Sequence, residues 1–217
     1  MPFFSPPVAW VPASVSAFPV IAATNTSASS AAQASPHTVN LPTGIVSGDL
    51  LIMVFMLGNT NTITTPTGWT QIFNTLATVR LAAYYRIADG TEGASVSVVI
   101  GGSGRSAHCT YRISGYAGTP ESGTSTSGSS VSADPPTLSP SWASAKTMWL
   151  AVMGVNSATI PTAAPTNYTN LIAYAGASGG VSVGSGRREL ETATEDPGAF
   201  TNANANWVAN VIAIRPA

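Results

Sequence analysis

Few residues in this chain can do chemistry, so each can be weighed by itself. Gly176-Ala177-Ser178-Gly179-Gly180 fits the nucleophile-elbow pattern, in which a tight strand-to-helix turn exposes a strained serine. Here glycines and a strand-like run surround Ser178, and His37 and His108 are the only histidines available as its base. The expectation is a flexible inter-strand loop and not a hydrolase triad. Two histidines and the single cysteine, Cys109, cannot assemble a zinc site of the usual kind, so no metal and no cofactor are expected. Cys109 lies between Ala107 and Tyr111 on the apolar side of an alternating run, which predicts a buried, inert thiol.

The acidic residues read the same way. Asp49 follows Gly48 at a strand entrance, where a carboxylate accepts hydrogen bonds from turn amides more readily than it ligates calcium. Asp89 and Glu92 share one loop and have the types of an acid/base pair, but turn chemistry accounts for Asp89 and solubility for Glu92. Arg187-Arg188 beside Glu189 and Glu191 reads as a solvated, self-neutralising stretch. No catalytic residue is expected. The richest set is Arg80, Tyr84 and Arg86 on one run with His108, Thr110 and Arg112 on another. Alternation places these on the face away from the core, and aromatics with arginines on a sheet face suit sugars or protein interfaces.

The elements that must position these residues are all strands. Leu50 to Leu57 is an unbroken apolar run launched from Ser47-Gly48-Asp49 and stopped by Gly58-Asn59, too short for a helix. Alternating runs follow at Val79 to Ile87 and Ala107 to Gly115, with shorter ones at Phe18 to Thr24, His37 to Leu41, Trp69 to Asn74 and Ser95 to Ile100. The last of these is expected to pair after the Asp89-Gly90 turn. Asn25 to Ser35 reads as a loop by its Ser, Ala and Thr content, and Gly118 to Ser132 as a linker. Trp69, Trp142, Trp149 and Trp207 stand in or beside apolar runs, which makes them core residues.

The second half echoes the first. Met148 to Met153 stands where Leu50 to Val54 stood, and Pro165-Thr166-Asn167-Tyr168-Thr169 answers Pro66-Thr67-Gly68-Trp69-Thr70, 99 residues apart. At the same spacing Leu51 pairs with Leu150 and Ile113 with Ile212. Two such halves, 18-117 and 133-217, bury each other's sheet faces and make one domain of residues 18-217. Ahead of it, residues 1-17 carry four prolines among Phe3, Phe4, Val8, Trp10 and Val11, the composition of an extended arm that needs a surface to lie on.

Composition narrows the partners. Charged residues make up 8% of the 217, against about a quarter in ordinary soluble domains, and the formal net charge is -1 with Lys146 the only lysine. That excludes a nucleic-acid footprint and favours a surface spent in protein contacts. No apolar run reaches the roughly 18 residues of a spanning helix, and the first residues lack the pattern of a secretory signal peptide. A product made in a cytoplasm, with no membrane association, is expected, and Asn25-Thr26-Ser27 and Asn167-Tyr168-Thr169 are then chance matches to the glycosylation pattern.

Taken together, Gly48-Asp49-Leu50-Leu51-Ile52, Pro66-Thr67-Gly68-Trp69-Thr70, Tyr84-Tyr85-Arg86 with Ala88-Asp89-Gly90-Thr91-Glu92, His108 before Tyr111-Arg112-Ile113-Ser114-Gly115, and the ending Ile212 to Ala217 resemble a jelly-roll-like β-sandwich family of tailed-bacteriophage virion proteins. The resemblance runs from about Phe18 to the last residue and leaves the arm outside. It implies an all-β antiparallel sandwich serving in the virion as a head or tail accessory protein. Its partners would be the major capsid protein or tail proteins and copies of itself. The role expected within the virion is capsid decoration, with Phe3, Phe4 and Trp10 of the arm, which the resemblance does not cover, as assembly contacts. The alternative is a tail-tip or fibre module that grips host glycans through Arg80, Tyr84, Arg86, His108 and Arg112.

Overall fold

The computed structural model describes residues 16–176 and 180–217, apart from the side chains of residues 30–32. Phe3, Phe4, Trp10 and Ser178 lie outside them. All regular structure among the described residues is strand. The first half supplies β1 (Val20–Ala34), β2 (His37–Asn40), β3 (Leu50–Leu57), β4 (Thr70–Leu76), β5 (Arg80–Ile87), β6 (Ser95–Val98) and β7 (Ser103–Ser114). The second supplies β8 (Glu121–Ser122), β9 (Thr126–Ser130), β10 (Ala145–Val155), β11 (Thr169–Ala175), β12 (Ser182–Thr192) and β13 (Ala205–Ile214).

β3 is buried along its whole length because both of its faces are covered. It lies between β5 and β7 in a sheet of order β1-β7-β3-β5-β4, pairing Leu50 with Ile87 on one side and with Ile113 on the other. Leu50, Ile52, Val54 and Met56 point toward the second sheet, where Met148, Leu150 and Val152 of β10 meet them. Leu51, Met53, Phe55 and Leu57 point the other way, under a separate two-stranded layer in which β2 pairs with β6. An apolar run that does not alternate is what a strand with two dry faces requires.

The second half repeats the plan. Its sheet runs β11-β12-β10-β13-β8, with β9 also on β13. Its outer face, including Trp149, Met153 and Val211, is covered by loops that join through Leu138 with Glu195 and through the Phe200 amide to the Ala133 carbonyl. Within each sheet the connection from the first central strand skips its neighbour, so β3 reaches β4 beyond β5 and β10 reaches β11 beyond β12. The two sheets pack face to face with β10 across β3, β12 against β7 and β13 against β5, a pseudo-twofold arrangement. The fold is thus an all-β antiparallel sandwich built from two similar halves. Each half fills one of the two packed antiparallel sheets, and in each sheet one connection skips a neighbouring strand.

The strongest mark of duplication is a turn. Trp69 N–H donates to the Pro66 carbonyl at 3.1 Å and Tyr168 N–H to the Pro165 carbonyl at 3.0 Å. The third residue of each turn has positive φ, +79° at Gly68 and 68° at Asn167. That is a type II turn, filled by the residue types able to adopt the left-handed region. The spacing of 99 holds for this turn but not for the strands. It would equate Leu51, which faces the outer layer, with Leu150, which faces the other sheet. Face for face, Leu50 answers Met148, Leu51 answers Trp149 and Ile113 answers Ile214.

Three further expectations are corrected. Asn25 to Ser35 is not a loop: through Ala34 it belongs to β1, paired with β7. An edge strand needs only one ladder, and small Ser, Thr and Ala side chains fit beneath the β2 layer. β6 pairs with β2 and not with β5, because the turn at Asp89 carries the chain out of the sheet plane. Gly118 to Ser132 is not a free linker, since β8 and β9 within it hydrogen-bond to β13.

Candidate functional site

The face bearing Arg80, Tyr84, Arg86, His108 and Arg112 is not an exposed sheet face. β3 does bring the two runs together by lying between them, but β2, β6 and their loops cover the result. Tyr84 and His108 are both 0% exposed, and Thr110 is buried too. Alternation reported correctly that these residues point away from the inter-sheet core. It carried no information about a second layer.

Beneath that layer the two histidines form one buried hydrogen-bonded line. Asn40 N–H donates to Ser27 Oγ at 3.0 Å, and Ser27 Oγ lies 2.9 Å from His108 Nδ1. His108 Nε2 is 2.7 Å from Ser106 Oγ, which is 2.6 Å from His37 Nδ1, and His37 Nε2 is 3.3 Å from the Gln33 carbonyl. The line starts at an obligatory donor and ends at an obligatory acceptor, so the protons have one consistent order. Both histidines are neutral with the proton on Nε2, and each hydroxyl donates to an Nδ1. Phe55 stacks on His108 with ring centroids 4.4 Å apart. Burial, and next the nearby His37, push His108 down to about 3. Burial also lowers His37, against the opposing pull of the Gln33 carbonyl. Neither imidazole reaches solvent, so this serine–histidine set satisfies polar groups in a dry layer and offers no base to a substrate.

The arginines fasten loops. Arg80 donates to Asn74 Oδ1 at 2.8 Å and to the Thr60 carbonyl, and Arg112 donates to the Thr43 and Gly44 carbonyls beside Asp49. Arg86 pairs with Asp89 at 2.7 Å and with Glu92 at 2.9 Å. Burial works to raise the Glu92 carboxyl, but the amides of Asp89 and Gly90 and the Arg86 charge outweigh it and hold it below the usual range. Asp89 is lowered by hydrogen bonds from the Thr91 hydroxyl and amide and then by Arg86. The second half has its own version, in which Arg188 pairs with the buried Glu195 at 2.8 Å. Asp49 accepts from the Val46 amide at 2.9 Å, the turn role expected of it. Cys109 is fully buried and its thiol is pushed up to about 12 by burial.

A different place is open. At the side of the sandwich where β1 and β11 are the edge strands, the sheets part to leave a cleft of about 370 Å³. Ile21 and Thr24 of β1 and Tyr111 of β7 form one wall, and Leu150, Ile172 and Arg187 are on the other with Asn170. At the opposite side Thr75 Oγ1 of β4 donates to Ser125 Oγ at 2.7 Å and Asn210 Nδ2 reaches the same hydroxyl, which ties the two sheets together there. Sequence reasoning missed the cleft because Arg187 looked solvated. Parity along β12 was the available signal, since Val183 faces the inter-sheet core and Ser185 and Arg187 follow it at every second position.

Architecture and site together define a class, an antiparallel β-sandwich of two similar halves with a cleft at the side of β1 and β11. Comparison with protein-family models, with curated proteins and with solved structures gave no match.

Proposed function

We propose that this chain is a structural component of a bacteriophage virion, acting as a capsid decoration or cement protein that stabilises the shell through subunit contacts. The assignment to virions rests on the resemblance of the motifs quoted above. The observation that favours a structural role is where the polar chemistry goes. His37, His108, Arg80, Arg86, Arg112 and Arg188 are engaged within the protein, fastening an outer layer onto each sheet. What remains outside is a surface poor in charge, with β1 an uncharged edge strand from Val20 to Ala34. Binding of such a protein stabilises an assembled lattice by mass action, without turnover. Its partners in this reading are the major capsid protein, or tail proteins, and further copies of itself.

The test is copy number in purified particles, by quantitative mass spectrometry against the major capsid protein. A ratio near one per capsid subunit or per capsomer is expected, with binding abolished on removal of residues 1–17. A few copies per particle would move the protein to the tail, and absence from particles would end the virion reading. The tail reading, a module that grips host glycans, is favoured by the open cleft and no longer by the covered face.

A further inference from the structure

We propose that the cleft between β1/β7 and β11/β12 is a binding site for a small, hydroxylated carboxylate, with Arg187 as the residue that holds the carboxylate. The inference does not depend on the virion reading. Its first support is the state of Arg187. Its Nε donates to Asn170 Oδ1 at 3.1 Å, which fixes the plane of the guanidinium, and it forms no ion pair among the described residues. Arg86 and Arg188, by contrast, are each neutralised by a carboxylate. A guanidinium anchored through Nε presents its two terminal nitrogens as a fork matched to a carboxylate. Glu189, the nearest acid along β12 on the same face, is exposed and does not line the cleft.

The second support is the lining. Ile21, Leu150 and Ile172 offer apolar contact, while Thr24 and Asn170 offer hydrogen bonds, a mixture that suits a ring with one apolar face and hydroxyl edges. Deeper in, the Tyr111 hydroxyl lies beside Ser185 Oγ, a buried oxygen without a well-formed partner. Arg187 is close enough to Tyr111 for its charge to oppose the upward shift that burial imposes on the phenol. The third support is the contrast between the two sides of a pseudo-symmetric sandwich. At the β4 side Thr75 and Asn210 converge on Ser125 and tie the sheets together, whereas the β1/β11 side holds a cleft lined by a cation without an ion pair among the described residues. A volume of about 370 Å³ takes one monosaccharide-sized unit.

The experiment is isothermal titration of the full chain with sodium glucuronate, sodium benzoate and glucose. Glucuronate saturation that weakens with added salt, with glucose silent, is expected. Binding should fall by roughly tenfold or more in Arg187→Gln. Stronger binding of glucuronate than benzoate identifies a sugar acid as the source of the carboxylate. The reverse, benzoate held more tightly than glucuronate, would overturn the assignment of a hydroxylated ligand. Arg187→Gln must keep its thermal midpoint for the loss to count. Asn170→Ala, which releases the guanidinium plane without removing its charge, should weaken binding less than Arg187→Gln. Failure of both acids to saturate, equal affinity in Arg187→Gln, or glucose binding as well as glucuronate would each overturn the proposal.

Discussion

Acid should unfold this protein earlier than its few carboxylates would suggest, and His108 is the reason. Unfolded, the imidazole titrates near 6.5, whereas in the dry layer under β2 it is held neutral down to about 3. The unfolded state therefore binds a proton that the folded state refuses. The stabilisation is complete above the unfolded value and is lost progressively as pH falls from about 6.5 toward 3. Working the linkage through for His108 alone gives a loss of about 2 kcal/mol between pH 7 and pH 5, approaching about 1.4 kcal/mol per further pH unit. His37, shifted in the same direction, adds to this. Urea unfolding followed by tryptophan fluorescence reports it, because Trp149 and Trp207 are buried. The midpoint should drop steadily from pH 7 to pH 5 at constant m-value. His108→Gln, weaker at pH 7 through its disturbed Ser27 and Ser106 contacts, should lose most of that slope. An unchanged midpoint between pH 7 and pH 5, or an undiminished slope in His108→Gln, would refute the neutral hydrogen-bonded line.

Other substitutions probe the packing. A Cβ on Gly154 would collide with Met56 Sδ and lie 3.1 Å from Leu81 Cδ1 between the sheets, so Gly154→Val should cost about 1–3 kcal/mol in denaturant melts. Gly68→Ala should lower stability by about 1 kcal/mol or more, because φ is +79° and the new methyl meets Arg86 Nη1 at 2.9 Å. Asn167→Gly, at the matching turn, should be tolerated within about 0.5 kcal/mol. Glu195→Gln removes the carboxylate that neutralises Arg188 and should cost about 1.5–3 kcal/mol, measured by the shift in urea midpoint.

The parts of the fold that could be read from sequence were those where one physical requirement dominated. Leu50 to Leu57 had to be a central strand, and Pro66 to Trp69 and Pro165 to Tyr168 had to be turns. β1 was hidden because Ser, Thr and Ala are what an edge strand under a covering layer and a loop have in common. β8 and β9 were hidden for the same reason. The Arg80, Tyr84, Arg86, His108 and Arg112 set was placed on the right side of the sheet, yet the covering β2–β6 layer pairs residues distant in sequence and leaves no local periodicity to detect. Arg187 shows the reverse error. Its neighbours Arg188, Glu189 and Glu191 made the stretch look uniformly solvated, although strand parity separates Arg187 from Arg188 onto opposite faces.

The duplicated plan has one further consequence. If two separate copies of such a half faced each other, exact symmetry would give the pair two identical flanks, both open or both shut. Within one chain the two halves are free to differ in sequence, and the strands that answer each other on the β7 and β13 edges, β1 and β8 with β9, do differ. Beside β4 the second of these brings Ser125 to Thr75 and Asn210, while beside β11 the first borders the cleft. The covalent join is thus what lets one flank serve as a seam and the other as a mouth.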